Sequence, residues 1–174
     1  MKRQAGRHGG GTEGEALGTI EPVDLLLRLG ASALCGGLIG LERELHRKPV
    51  GLRTIMLVAI GSAVFAVIAI EVTQSAPHTQ YEATGDIGRA LQGIIAGLGM
   101  LGAGLFLHRD TSVRLATSGA GVWLAGAVGI ACGLRLFLLA GIATCLALIV
   151  LAGMTAIEVR LPGRKRQKSG PEPD

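Results

Sequence analysis

From residue 22 onward the chain alternates between long apolar runs and short polar connectors. Five runs stand out, roughly 23–41, 51–71, 88–107, 113–132 and 134–157. Each holds about 20 mostly apolar positions, enough at 1.5 Å per residue to cross a hydrocarbon core of roughly 30 Å. The pattern predicts an all-α fold, a polytopic transmembrane bundle of about five membrane-spanning helices over 22–160. The segment 1–21 is polar, includes Gly9, Gly10 and Gly11, and reads as a disordered tail with nothing to bury. It does not read as a secretory signal, because its polar stretch is long and the apolar run behind it is too long for cleavage. The segment 161–174 carries Arg164, Lys165, Arg166 and Lys168 before Pro171 and Pro173, and reads as a basic cytoplasmic tail.

The connectors orient the bundle. Lys and Arg gather on the cytoplasmic side of membrane proteins. The first connector has Arg43, Arg47, Lys48 and Arg53, and the third has Arg109 and Arg114. The second, from Glu71 to Gly88, has no Lys or Arg, and the fourth is a tight turn with Arg135 alone. Five spans and this alternation predict an N-terminus outside and a C-terminus in the cytoplasm.

Composition narrows the function classes. Half the chain is apolar (49%), mean hydropathy is +0.48 and only 17% is charged, so charge is crowded into connectors. The net charge of +4 therefore reads as orientation and contact with anionic lipid, not as a polyanion site. One tryptophan, Trp123, and one tyrosine, Tyr81, leave no base-stacking surface, so no nucleic-acid partner is expected.

The 28 glycines fall mostly inside the spans. A helical glycine costs about 1 kcal/mol relative to alanine, a penalty that close helix approach offsets in small-xxx-small pairs. Gly36 and Gly40 have that spacing, as do Gly93 and Gly97, and Gly121, Ala125 and Gly129. Gly99, Gly102 and Gly104 extend the set. On the third span, Leu91, Ile94, Ile95, Leu98, Leu101 and Leu105 form a bulky stripe expected to face lipid. Arg89, Gln92, Ala96, Gly99 and Ala103 form a small and polar stripe expected to face protein.

Ionisable groups inside a membrane point to function unless they are anchored by a partner. Arg28, Asp86, Arg89 and Gln92 are the candidates for a polar cluster. Asp24 with Arg28, and Asp86 with Arg89, also have the spacing of helical ion pairs. At the first connector Glu42, Arg43, Glu44 and Arg53 form a charged junction. Glu42 and Glu44 sit at a helix C-terminus and Arg53 near a helix N-terminus, each on the end its charge disfavours. A Glu42–Arg53 ion pair across the hairpin is expected to offset both penalties.

Other chemistry is thin. Cys35, Cys132 and Cys145 lie in apolar runs and read as free thiols. His8, His46, His78 and His108 are scattered without ligand spacing. Glu42, Glu44 and Asp110 could offer oxygens to a cation, but Arg43, Arg47, Lys48 and Arg109 surround them, so no metal site is expected. No nucleophilic triad, phosphate-binding loop or deep carboxylate pair is present in the sequence, which argues against an enzyme and against a cofactor.

Three segments in order resemble the MgtC/SapB family of membrane proteins: GGLIGLERELHRKPVGLRTIMLVAIGSAVF from Gly36 to Phe65, DIGRALQGIIAGLGMLGAG from Asp86 to Gly104, and VRLATSGAGVWLAGAVGIACG from Val113 to Gly133. There are departures: Ile87 where many members have proline, Met100 where they have phenylalanine, and Leu115-Ala116-Thr117-Ser118 where Gly-Leu-Thr-Thr is usual. Longer members carry a soluble C-terminal domain, and this chain is expected to be a short form without it. The resemblance implies a multi-pass protein of the bacterial inner membrane, associated with growth at low magnesium and, in some members, survival inside host cells. It implies a regulatory role in stress adaptation through a membrane partner, the ATP synthase being one suggestion, or through self-association. The alternative it leaves is a small ion or solute transporter, for Mg²⁺ or another species, acting as an oligomer.

Overall fold

The computed structural model describes residues 20–75, 80–104 and 113–160, with side chains described over 20–73, 85–104 and 117–153. His8, His78, His108, Arg109, Asp110, the side chains of Tyr81 and Arg114, and the basic tail lie outside those residues. Among the described residues there are five helices and no strand: α1 Pro22–Leu45, α2 Leu52–Ser75, α3 Gln80–Gly104, α4 Val113–Gly133 and α5 Phe137–Arg160. Each expected apolar run is a helix. α3 begins earlier than its apolar run, because Gln80 to Ile87 contains no proline and its acids, Glu82 and Asp86, suit a helix N-terminus.

Two sharp reversals have a common device. α1 ends with Arg47 at φ 50°, its N–H donating to the Glu44 carbonyl at 3.1 Å while Lys48 N–H reaches the Arg43 carbonyl at 3.0 Å. α4 ends the same way at Arg135, φ 62°, with Arg135 N–H to Cys132 at 3.0 Å and Leu136 N–H to Ala131 at 2.8 Å. Both are Schellman closures, which satisfy helix-end carbonyls but normally place glycine at the left-handed position.

α1, α2 and α4 make the core, around Ile39, Ile55, Ala59, Val122, Ala125, Val128 and Cys132. The seams are dense because glycines remove the side chain where backbones meet. A Cβ on Gly36 would stand 2.7 Å from the Ala59 methyl, and one on Gly129 would stand 2.1 Å from the Ala59 carbonyl oxygen. Gly40 lies as tightly over Leu52, and Gly121 lies against Arg43. α5 leans on α1 and α4, while α3 leans on α4 and α2; among the described residues α1 and α3 do not meet. The outward surface is apolar, with Leu26, Leu57, Met100, Leu138 and Ile149 between 66% and 79% exposed, which suits lipid and not water. α1, the Leu52–Thr73 stretch of α2 and the Gly85–Gly104 stretch of α3 are long and apolar enough to cross a membrane; Thr117–Gly133 and Phe137–Gly153 are shorter apolar stretches.

The expected faces of α3 hold only in part: Ile95 and Leu101 of the bulky stripe are exposed, but Leu98 is not, and Arg89, Gln92, Ala96, Gly99 and Ala103 of the small stripe are exposed. Leu98 is buried at 6% exposure, and a Cβ on Gly126 would collide with its Cδ1 at 2.2 Å. Nothing lies within 4 Å of a Cβ on Gly93, Gly97, Gly99 or Gly104, and only Gly102 meets α4, at the Gly119 carbonyl 3.7 Å away. The glycines that form the sockets are on α4, so a leucine of α3 fills them and most of α3's own glycines point elsewhere.

Candidate functional site

The buried residues of α1 are Arg28, Ser32, Gly36, Ile39, Gly40 and Arg43, a single helical stripe with an arginine near each end. The two arginines are about 22 Å apart along the axis at 1.5 Å per residue. Both hold α4. At the α1 C-terminus Arg43 has no exposed surface. Its Nε donates to the Val50 carbonyl (3.0 Å), Nη1 to the Thr117 carbonyl (3.2 Å) and Nη2 to Ser118 Oγ (2.6 Å). One planar fork thus joins the end of α1, the turn before α2 and the first described turn of α4. Gly121 leaves room for it, since a Cβ there would stand 3.1 Å from Nη1.

At the α1 N-terminus Arg28 Nη1 donates to the Gly133 carbonyl at 2.7 Å, and its Nε donates to Asp24 Oδ2 at 2.8 Å. Asp24 Oδ1 accepts from Arg135 Nε at 2.8 Å, so one carboxylate joins α1 to the turn after α4. The expected Asp24–Arg28 and Asp86–Arg89 pairs both form.

The four polar candidates do not assemble. Arg28 belongs to this α1–α4 anchor, whereas Asp86 and Arg89 pair on α3, Gln92 is exposed, and α1 and α3 are not in contact. Helical spacing put Arg28 and Asp86 at the same end of the bundle, but the packing order puts other helices between them.

At the junction the expected Glu42–Arg53 pair does not form either. Arg53 is exposed, and the Glu42 carboxylate lies 3.0 Å from His46 Nδ1, which is also 2.7 Å from the Glu42 carbonyl oxygen. The penalty on the α2 N-terminus is met by Glu44 instead: its Oε2 accepts from Leu52 N–H at 3.1 Å, capping α2 from the preceding helix. A Cβ on Gly51 would stand against that oxygen, so a side chain there would push the Glu44 carboxylate aside. Among the described residues no group of three or more His, Cys, Asp or Glu could hold a metal ion. Cys35, Cys132 and Cys145 are free thiols.

The roles of Ser118, Thr117, Val50 and Arg135 were not anticipated from sequence. The signal for Arg43 was present, since it shares a helical stripe with Gly36 and Gly40. Its partners, seven to 75 residues away, had none.

Arg43, Val50, Thr117, Ser118 and Gly133 lie inside the segments whose order resembles a known family, while Asp24, Arg28 and Arg135 lie outside them, and the comparison with known proteins agrees with the resemblance. The MgtC family profile matches residues 29–160. The chain belongs to the MgtC family. SrpB of Synechococcus elongatus is 34% identical over 77% of this chain and 76% of its own. SapB of Bacillus subtilis is 38% identical over 66% of this chain and 49% of its own, and MgtC of Brucella abortus is 37% identical over 67% and 45%. The MgtC family chain thus spans about half the length of those last two relatives. No solved structure matches it. As a member of this family with helices of membrane-crossing length, it is a membrane protein.

Proposed function

We propose that this MgtC family chain is a non-enzymatic, multi-pass protein of the inner membrane, with its N-terminus outside and its C-terminus in the cytoplasm. Its role is regulatory, in adaptation to low magnesium or a related stress, and it works by engaging another protein in the membrane. The observation that carries this reading is how the interior is filled. Where α1, α2 and α4 meet, glycines close the seams, and the buried guanidiniums of Arg28 and Arg43 are held by backbone carbonyls, Asp24 and Ser118. Such an interior suits a rigid scaffold that presents surfaces better than it suits a hydrated path. The large cavity, about 700 Å³ between α2 and α3, is walled by residues such as Leu57, Phe65 and Ile94.

The test has two arms. A strain deleted for its own family member should regain growth at low magnesium when given this chain. Purified protein in proteoliposomes should take up radiolabelled or fluorescently reported Mg²⁺ no faster than empty vesicles. Rescue together with uptake would replace the regulatory reading by a transporter.

A further inference from the structure

The cavity of about 700 Å³ between α2 and α3 is open toward the bilayer: Leu57, Phe65 and Leu101 in its wall are between 57% and 70% exposed. It exists because glycines line it, and nothing lies within 4 Å of a Cβ on Gly61, Gly93 or Gly97. A void of this kind forfeits dispersion contacts until something fills it, and its size is within the roughly 300–1,000 Å³ of ligand sites. On α2 it reaches from Thr54 to Phe65. That is about 17 Å at 1.5 Å per residue, roughly half of a hydrocarbon core about 30 Å thick, the depth of one leaflet.

Its two ends differ in charge. At the start of α2, Arg53 stands one turn before Leu57 on the face that lines the cavity. Arg53 is exposed, and no carboxylate among the described residues pairs with it. Glu44 is engaged instead with the Leu52 N–H. The exposed Thr54 belongs to the same mouth, and the first turn of a helix favours an anion. The far end leads to a smaller hollow of about 420 Å³ bordered by Thr73 and Asp86, where Arg89 is already paired with Asp86.

We infer that this cavity binds one anionic phospholipid, with an acyl chain along Leu57 to Phe65 and the phosphate against Arg53 and Thr54, in the leaflet that borders the start of α2. Charge complementarity selects this occupant. Any lipid can supply the tail, but only an anionic headgroup gains in full from an unpaired guanidinium, which can hold two phosphate oxygens at once. A zwitterionic headgroup brings its own ammonium beside the phosphate and cancels part of that attraction. From Glu42 to Arg53 the chain holds four cations and two carboxylates, an excess of two that draws anionic lipid to this mouth. The tail then supplies the packing between α2 and α3 that their glycines leave out, so the lipid holds α3 in place.

The test is native mass spectrometry of the full-length chain in mild detergent, after incubation with equal amounts of phosphatidylglycerol and phosphatidylethanolamine. The parent should retain one phosphatidylglycerol in preference to phosphatidylethanolamine by about tenfold or more. Arg53→Gln should lose that preference, whereas Arg89→Gln, which removes an exposed cation at the far end, should keep it. Gly61→Leu, whose Cβ meets nothing within the chain, should fold at the parent's yield and retain neither lipid. Glycerol phosphate, a headgroup without a tail, should not displace phosphatidylglycerol. Equal retention of the two lipids by the parent, or a preference that survives Arg53→Gln, would overturn the proposal. So would a preference lost equally in Arg89→Gln, a lipid held as firmly by Gly61→Leu, or displacement by glycerol phosphate, which would mark a phosphate site with no use for the cavity.

Discussion

Arg43 carries a full positive charge where water does not reach. A buried guanidinium persists only if its donors are satisfied, and here they reach a carbonyl in the α1–α2 turn and a carbonyl and hydroxyl on α4. Lysine keeps the charge but lacks the planar fork, so Arg43→Lys should destabilise by about 2–4 kcal/mol, nearly as much as Arg43→Met. Reversible unfolding in bicelles would measure it; a lysine variant as stable as the parent would show that charge alone suffices. Arg47 is a different case, a non-glycine at φ 50° with no close side-chain role among the described contacts. Arg47→Gly should relieve left-handed strain and raise stability by about 0.5–1 kcal/mol in the same assay. At Arg135, in the same conformation, glycine would also remove the contacts to Asp24, so the gain should vanish or reverse.

Between elements, the contacts follow from which helix supplies the small residues. α2 begins without a cap of its own and borrows Glu44 from α1, a contact that Gly51 permits. Gly51→Ala should displace that carboxylate and cost about 1 kcal/mol, whereas Glu44→Gln, which keeps an acceptor oxygen, should be mild. On α3 the sockets belong to α4. Leu98→Ala should therefore lower the stability of the folded monomer by about 2 kcal/mol, while Gly97→Leu leaves it unchanged. Equal effects of the two would contradict the observed packing. The sequence pattern located α3 and the exposure of Ile95 and Leu101 but misplaced Leu98, because the hydropathy of a helix in lipid does not distinguish a leucine in a protein socket from one among acyl chains.

Over the whole molecule, α1 is fastened to α4 at both ends, by Arg28 on Gly133 and by Arg43 on Thr117 and Ser118, while α3 and α5 lie outside that frame. The connector charges give the frame a direction in the membrane. Reporter fusions at Lys48 and Gly163 should read cytoplasmic and a fusion at Gln80 should read external. A periplasmic signal at Lys48 would invert the proposed orientation.

The amino-acid sequence alone determined the five helices, the membrane as solvent and the family, because apolar run length and connector composition are local quantities. It also determined the two intrahelical pairs, Asp24–Arg28 and Asp86–Arg89, because spacing along one helix is local too. Only the tertiary structure decided that Glu42 turns to His46 and Glu44 to the start of α2, that Arg28 stands apart from Asp86, and that the α3 glycines other than Gly102 lie open. Those outcomes depend on which helices become neighbours. In lipid, neighbours are chosen by close fit of small against large residues across different helices, a property that no single stretch of the chain contains.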